Sequence, residues 1–205
     1  YQGESNRARA AQYRSIFPAM IEDWRAQWGI GDFPFHFVQL APFTYGGDTG
    51  QLAELREAQA MTLALPNTGM AVTMDIGNVR DIHPKNKQDV GKRLAWNALA
   101  RDYGREVAYA GPTYRSMVVV GDTARLHFDH AAGLAGELAN FTIAGADRVF
   151  HPAEARIDGE TILVRADAVA APQAVRYCWG TSDEGRLYNA DRLPASSFRL
   201  SLIHI

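Results

Sequence analysis

The sequence predicts an α/β protein whose first half forms part of a parallel sheet with helices and whose second half is rich in antiparallel β-structure. In the first hundred residues, stretches with apolar residues every three or four positions alternate with short apolar runs. Beyond residue 108, short runs of alternating apolar and polar residues are separated by Gly and Asp turns. Alternating helices and strands favour parallel pairing through crossovers. We therefore expect one domain over residues 1–108 and a β-rich, sandwich-like domain over 109–205.

Length and charge narrow the classes of partner. The chain has 205 residues, 47% of them hydrophobic, which is enough to bury a sizeable core. Its 21 Lys and Arg against 23 Asp and Glu include no run of like charges, so nucleic acid and anionic membrane surfaces are not expected partners. No apolar stretch approaches the roughly 20 residues of a membrane-spanning helix. The single Cys178 excludes an intrachain disulfide, and we expect it to be a buried apolar residue.

The first predicted element is a helix that begins near Ser5 or Asn6, either of which can cap it. Its apolar residues are spaced by three and four, so one face is expected to be core, and packing is the expected role of its two tryptophans. Pro18 predicts either a kink or a second helix with proline in its first turn. The apolar positions are Tyr13, Ile16, Phe17, Met20, Ile21, Trp24 and Trp28.

Two strands and two more helices follow in alternation. Residues 34–40 form the first predicted strand, and residues 70–74, an apolar run bounded by glycines, form a buried central strand. Between them, residues 51–64 are predicted to be helical, and a third helix is capped by Asn86 and ends before Gly104. Ligands bind at the carboxyl ends of the strands in open α/β sheets, so the loops after both strands are candidate site loops.

The loop after the central strand carries the first candidate chemistry. Asp81 and His83 are two residues apart, and a carboxylate so placed can orient an imidazole and stabilise its protonated form. The spacing equally fits ordinary surface polarity, and Lys85 and Lys87 beside the pair are typical of a solvated loop. Beyond the first strand, the Gly-rich aromatic loop at 41–48 suits a binding rim.

The segment 2–6 is the second candidate, because it lies where a strand would end and a helix begin. Backbone N–H groups and side-chain amides at such a point can face an oxyanion, although a simple capping turn explains the segment equally well. Gly3 and Ser5 also form half of a nucleophile-elbow motif, in which Arg7 occupies the position of the second glycine. Ser5 is therefore only a weak candidate for a nucleophile.

Several short strands, separated by Gly and Asp turns, are predicted in the second half. His127 and Asp129 would share one strand face, but no third ligand stands at a recognisable metal-site spacing, so we expect no metal. Residues 200–205 are either a last strand or a foreign tail. The strands are predicted at 116–120, 124–128, 140–144, 161–164 and 174–179.

Six segments together are more specific than any one motif. They are residues 1–6 (YQGESN), 35–43 (FHFVQLAPF), 55–59 (LREAQ), 81–87 (DIHPKNK), 175–177 (VRY) and 193–199 (LPASSFR). In this order they resemble the sialate O-acetylesterase family, over nearly the whole chain. The resemblance implies an SGNH-type serine esterase with a flavodoxin-like catalytic domain followed by β-structure. It also implies removal of acetyl groups from sugar hydroxyls, without a metal or cofactor, in a periplasmic, secreted or lysosomal compartment.

By position, the resemblance makes His83 the general base and Asp81 the carboxylate that orients it. It makes Gln2 and Gly3, together with Asn6, part of the oxyanion and substrate-binding site. Many SGNH hydrolases have two residues between the acid and the histidine, so a backbone carbonyl is an alternative orienting group for this more closely spaced pair.

The family's nucleophile is the serine of a Gly-Gln-Ser-Asn-Met segment, which this chain does not contain. We therefore expect the chain to be the C-terminal portion of a longer esterase and to be inactive alone. Xylan or another acetylated plant polysaccharide is an alternative substrate to sialic acid. A non-catalytic carbohydrate-binding module that uses Phe43 and Tyr45 is the alternative from another class, and the helical first half argues against it.

Overall fold

The computed structural model describes residues 1–47 and 50–200, and its first half contains the predicted alternation of helices and strands. The two strands pair in parallel, with Phe35 opposite Thr68 and Val38 opposite Ala71. The α/β class is therefore confirmed, whereas a flavodoxin-like sheet beyond these two strands stays a prediction. The elements are a 3-10 helix Glu4–Arg9, α1 Ala10–Trp28, β1 Phe35–Val38, α2 Gln51–Met61, a 3-10 turn Thr62–Ala64, β2 Thr68–Ala71 and α3 Lys87–Arg101.

The start of α1 differs from the prediction. Ser5 and Asn6 both lie inside the 3-10 helix, and neither side chain caps a helix start. The reason is that Gly3, with a φ of 143°, turns the chain earlier, so the helical backbone already begins at residue 4. Pro18 lies inside the single helix α1, so the alternative of a second helix starting at proline is wrong.

Helix α1 exposes an apolar stripe beside its buried face. Trp24 and Trp28 are 47% and 70% exposed, so neither lies on the buried face that the spacing predicts, although both pack against aromatic rings. Each contacts only one ring of the following segment, Phe35 at 5.8 Å and Phe33 at 5.6 Å between centroids. Ile16, eight residues before Trp24, is also 59% exposed. The buried face consists of Ala10, Tyr13, Phe17, Ile21 and Arg25.

The two parallel strands have helices on both faces. Phe37 and Met70, which are register partners, belong to the apolar cluster formed with α1 and α2. On the opposite face, the side chains of His36 and of Asn97, which belongs to α3, pack against Gly69. His36 Nε2 is also 2.7 Å from Asp102 Oδ2, just beyond the end of α3. This arrangement leaves the carboxyl ends of both strands for loops, as the sequence predicts.

The second half is a sandwich of antiparallel sheets. The described strands are β3 Thr113–Val120, β4 Thr123–Asp129, β5 Ala135–Gly136, β6 Phe141–Ala144, β7 His151–Pro152, β8 Glu154–Asp158, β9 Thr161–Arg165, β10 Ala174–Tyr177, β11 Leu187–Tyr188 and β12 Phe198–Arg199. They form one sheet in the order β3-β4-β9-β8, a second in the order β12-β10-β6-β7 and a short pair, β11-β5. Leu126 and Ile162 of the first sheet meet Ile143 and Val175 of the second in one fully buried cluster.

The two halves share core residues. Met74, just beyond β2, is fully buried in the apolar cluster of the sandwich. Cys178 is fully buried in the same cluster, which confirms its predicted apolar role. The boundary at residues 108 and 109 stays a prediction. Within residues 1–47 and 50–200, none of the α-helices combines the length and hydropathy that a bilayer crossing requires. Two predicted features, the loop residue Asp48 and the tail at 201–205, lie outside the described residues.

Candidate active site

The carboxyl ends of β1 and β2 border a small cavity of about 170 Å³. Ala41 reaches it from beyond β1, and Thr73 reaches it from beyond β2. Tyr1 and Pro84 also line it, and these are the immediate neighbours of the predicted site residues Gln2 and His83. The structure therefore brings the neighbours of Gln2 and of His83 to one cavity, although neither Gln2 nor His83 is among its lining residues. The remaining wall consists of Ile76, Lys87 and Val90.

His83 lies at the surface of this loop, with 88% of its side chain exposed. Its backbone N–H donates a hydrogen bond of 2.9 Å to Asp81 Oδ1. Its Nδ1 atom is 3.9 Å from the same oxygen, which is too long for a hydrogen bond. In this structure Asp81 thus fixes the backbone of the loop and does not hydrogen-bond the imidazole, so the predicted carboxylate–imidazole couple is close but not formed.

The turn at Gln2 is held by two side chains from helices. Gln59 Nε2 donates to the Gln2 carbonyl oxygen at 3.1 Å, and the Tyr13 hydroxyl donates to Gln2 Oε1 at 3.0 Å. Gln59 Oε1 in turn accepts from the backbone N–H of Leu40 at 3.0 Å. One buried glutamine therefore joins the turn to the end of β1.

Gly3 can only be glycine without rearrangement. Its φ of 143° is disfavoured for other residues, and an added Cβ would lie 3.1 Å from Leu55 Cδ2. Its carbonyl oxygen accepts from the Asn6 backbone N–H at 2.7 Å. Asn6 Oδ1 accepts from Gln2 Nε2 at 2.8 Å, which leaves the Nδ2 group of Asn6 to donate elsewhere. Donors of this kind are what an oxyanion site needs.

Ser5 is exposed in the 3-10 helix, and among the described residues no histidine forms a hydrogen bond to it. The elbow geometry of a strand, a sharp turn and a helix is also missing, because the described residues before Ser5 form no strand. The arrangement around Ser5 therefore gives no support to its assignment as a nucleophile.

Tyr1 contributes a neutral phenol to the cavity. Its hydroxyl oxygen accepts from the Ala41 backbone N–H at 3.4 Å, and burial raises the pKa of Tyr1 to about 12. The phenol therefore stays protonated near neutral pH and can act as a donor. The Lys87 ammonium lies 5.9 Å from the centre of its ring, which adds a weak cation–π contact across the cavity.

A buried ion pair, missed by sequence reasoning, anchors the candidate loop. Arg93 donates two hydrogen bonds of 2.7 Å to Asp75, and both side chains are 8% exposed. Arg93 also donates to the Val72 carbonyl at 2.6 Å, and Asn97 donates to the Met70 carbonyl at 3.4 Å. Both acceptors face the outer edge of β2. In the sequence, the role of Arg93 is indicated only by its position as a charged residue on the inner face of a predicted helix.

The aromatic rim after β1 is tied to both halves of the chain. Phe43 and Thr181 exchange two hydrogen bonds, of 3.1 Å and 2.6 Å, through the Phe43 backbone. The Thr44 N–H donates to the Val79 carbonyl at 2.9 Å, in the stretch that leads to the histidine loop. Phe43 and Tyr45 meet edge to face at 4.8 Å. The predicted binding rim therefore lies beside the candidate loop.

The chain is similar to known carbohydrate esterases. Residues 1–100 match the family described as carbohydrate esterase, sialic acid-specific acetylesterase. The sialate O-acetylesterase of Mus musculus is 29% identical over all of this chain and 44% of its own length. The Homo sapiens sialate O-acetylesterase is 37% identical over 55% of this chain and 25% of its own length.

A solved structure is similar over almost the whole chain. A carbohydrate acetylesterase from Xanthomonas citri is 49% identical, with a TM-score of 0.93. The match covers 98% of this chain and 49% of the Xanthomonas citri chain. The present chain thus spans less than half the length of each of these three relatives.

Proposed function

We propose that this chain belongs to the family of carbohydrate esterases that residues 1–100 match, and that it carries the general base and part of the oxyanion site of an enzyme that hydrolyses acetyl esters on sugar hydroxyls. The observation that carries this proposal is the shared cavity: neighbours of Gln2 and His83 line one space at the carboxyl ends of β1 and β2. Its volume of about 170 Å³ is small for a sugar and suits an acyl group whose sugar lies outside.

In the proposed reaction, His83 is the general base. It removes the proton of a serine hydroxyl as the serine oxygen attacks the acetyl carbonyl, and the oxyanion that forms accepts hydrogen bonds from amide donors near Gly3 and Asn6. The protonated imidazole then gives its proton to the departing sugar oxygen. Water, activated by the same imidazole, attacks the acetyl-serine and releases acetate. Asp81 positions the base through the backbone of its loop.

The nucleophilic serine is proposed to come from polypeptide outside this chain. The family's nucleophile segment is missing from the sequence, and the chain spans less than half of its relatives. The surface of α1 agrees with this proposal. Its exposed stripe, Ile16, Trp24 and Trp28, lies beside β1, and the described residues supply β1 with a strand partner on one edge only. Exposed apolar surface of this kind is normally covered by another part of a protein.

A chimera tests the proposal. In it, the present chain replaces the part of the Xanthomonas citri acetylesterase to which it aligns. We expect the chain alone to give no turnover of p-nitrophenyl acetate, and we expect the chimera to hydrolyse both this ester and O-acetylated sugars. The acetyl adduct should then form on a serine outside residues 1–205, and Ser5→Ala should leave the rate unchanged. Saturable turnover by the chain alone, with acetylated Ser5, would refute the proposal in favour of the elbow assignment.

A further inference from the structure

The outer face of the sheet β12-β10-β6-β7 carries a row of alternating aromatic and arginine side chains. The guanidinium carbon of Arg176, on β10, lies 3.7 Å from the centroid of the Phe150 ring and 5.4 Å from that of Trp179. Arg199, the direct partner of Arg176 on β12, lies 4.9 Å from the Trp179 ring. We call these four residues the arginine–aromatic row. Two guanidinium groups thus flank one indole.

The two arginines of the row differ in their ionic partners. Arg199 forms two hydrogen bonds of 2.9 Å with Glu57 and lies 3.5 Å from Glu54. Glu57 also accepts from Arg14 at 2.6 Å. Within residues 1–47 and 50–200, by contrast, Arg176 forms no hydrogen bond or ion pair. Arg176, Arg199 and the neighbouring Arg14 carry three positive charges, against the two negative charges of Glu54 and Glu57. The row and its neighbours therefore carry one excess positive charge.

Arg176 has the geometry of a ligand-binding arginine. Its Nε atom is buried without a partner among the described residues, whereas its terminal nitrogens are not buried. Burial and the nearby charge of Arg199 lower the pKa of Arg176, yet an arginine side chain remains protonated in proteins. Glu54 is the nearby opposite charge but forms no hydrogen bond to Arg176, and a bidentate carboxylate would offset the cost of the partly desolvated cation. Contact with the Phe150 ring, 3.7 Å away, restricts the motion of the guanidinium, which reduces the ordering needed on binding.

The row lies on the side of the molecule that carries the candidate site. Trp179 packs against Gly50, which caps α2 directly after the loop that follows β1. Two residues further along, Thr181 is hydrogen-bonded to Phe43 of the aromatic rim. A sugar whose acetyl group occupies the cavity would therefore extend along this rim.

We propose that Arg176, beside Phe150 and Trp179, binds the carboxylate of an acidic sugar. The assignment rests on the proposed function, because it makes Arg176 the residue that selects acidic over neutral O-acetylated sugars at the same site. The two neighbouring aromatic rings suit the apolar face of the sugar ring.

Direct binding to the chain itself tests this inference. The probes are N-acetylneuraminate and its neutral methyl ester, which differ only in the carboxylate charge, with the Trp179 indole N–H signal as the reporter. We expect the acid to bind about tenfold or more tightly than the ester, the value for a charge-assisted pair. Arg176→Gln should abolish that preference and Arg176→Lys should keep part of it. Arg115→Gln, on the other sheet, should keep all of it. Equal binding of both probes by the wild-type chain would overturn the inference.

The chimera separates the two proposals. If it hydrolyses p-nitrophenyl acetate but Arg176→Gln leaves the KM for an acidic O-acetylated sugar unchanged, the inference about Arg176 fails and the proposed function stands. If the chain prefers the acid probe but the chimera is inactive, the proposed function fails and Arg176 remains a carboxylate site. The expected result is a rise in KM of about tenfold for the acidic sugar, with little change in kcat.

Discussion

Gln59 Nε2 donates a hydrogen bond of 3.1 Å to the Gln2 carbonyl oxygen, across 57 positions of sequence. The other end of the same amide accepts from the Leu40 N–H, and Gln59 is only 1% exposed. A single residue of α2 thus sets the position of the N-terminal turn relative to the end of β1. The N-terminal turn and the end of β1 both border the candidate cavity. Gln59 therefore shapes the site, although it does not line the cavity.

Replacing Gln59 should therefore destabilise the chain. In Gln59→Ala, the buried Leu40 N–H loses its partner and the Gln2 carbonyl keeps only the Tyr13 hydroxyl as a donor, so we expect a loss of about 1–3 kcal/mol in the free energy of unfolding. Urea unfolding followed by circular dichroism measures it. Gln27→Ala, on the exposed face of α1, is the matched control and should stay within about 0.5 kcal/mol of wild type. Equal midpoints for the two variants would show that the bridge contributes nothing.

The buried pair Arg93–Asp75 makes a second prediction. Arg93→Met leaves Asp75 buried and unpaired, and we expect it to cost about 3–5 kcal/mol. Lys92→Met is the control at the next position, because Lys92 is 51% exposed and its ion pair with Asp89 should contribute less than about 1 kcal/mol. The double variant Arg93→Met, Asp75→Leu should recover part of the loss. If it is no more stable than Arg93→Met, the cost does not come from the unpaired charge.

Capping residues in the sequence predicted the start of one helix correctly and the start of another incorrectly. Asn86 caps α3 as predicted, because its Oδ1 accepts from the Asp89 N–H at 3.1 Å, three residues away. Ser5 and Asn6 carry the same type of signal, but the glycine turn before them determines where the helical backbone starts. The exposure of Trp24 likewise depends on what covers α1, and spacing alone does not reveal this.

Short-range pattern indicates where the candidate site lies, and that location stays a prediction. The pattern points to the strand ends and the Asp81–His83 loop, and Pro84, next to this loop, lines the cavity at those strand ends. The hydrogen bonds that support the site cannot be predicted from short-range pattern. Gln59 donates to the carbonyl of Gln2, and Arg93 donates to Asp75. Such long-range hydrogen bonds leave no periodic trace in the sequence.

Because its thiol is buried, Cys178 should lower the free energy of unfolding as the solution becomes alkaline. Burial raises the pKa of its thiol to about 12, whereas an unfolded cysteine titrates near ~8.5. Below the unfolded pKa both states keep the proton. As the pH rises from there toward the folded pKa, only the unfolded state loses it, so stability decreases. Unfolding free energies at pH 7, 9 and 10 should fall more steeply for wild type than for Cys178→Ala. Parallel slopes would contradict the assigned burial.

Substitutions at Asp81 show whether its carboxylate positions the loop backbone or orients the His83 imidazole. In the chimera, Asp81→Asn keeps an oxygen for the His83 N–H, so we expect kcat/KM within about tenfold of wild type. Asp81→Ala removes that acceptor and should lose more. If Asp81 instead orients the imidazole as a triad carboxylate, Asp81→Asn should lower kcat by about 10⁴-fold. Steady-state kinetics on p-nitrophenyl acetate decide between the two roles.

The central claim is that His83 is the general base of an acetylesterase, and kcat/KM of the chimera with His83→Ala tests it most directly. We expect a loss of about 10³-fold or more, because the serine hydroxyl then stays protonated. The unfolding midpoint should not change, since the imidazole is 88% exposed. Lys85→Ala, exposed in the same loop, should keep wild-type activity. A folded His83→Ala chimera that retains more than about a tenth of wild-type kcat/KM would contradict the account.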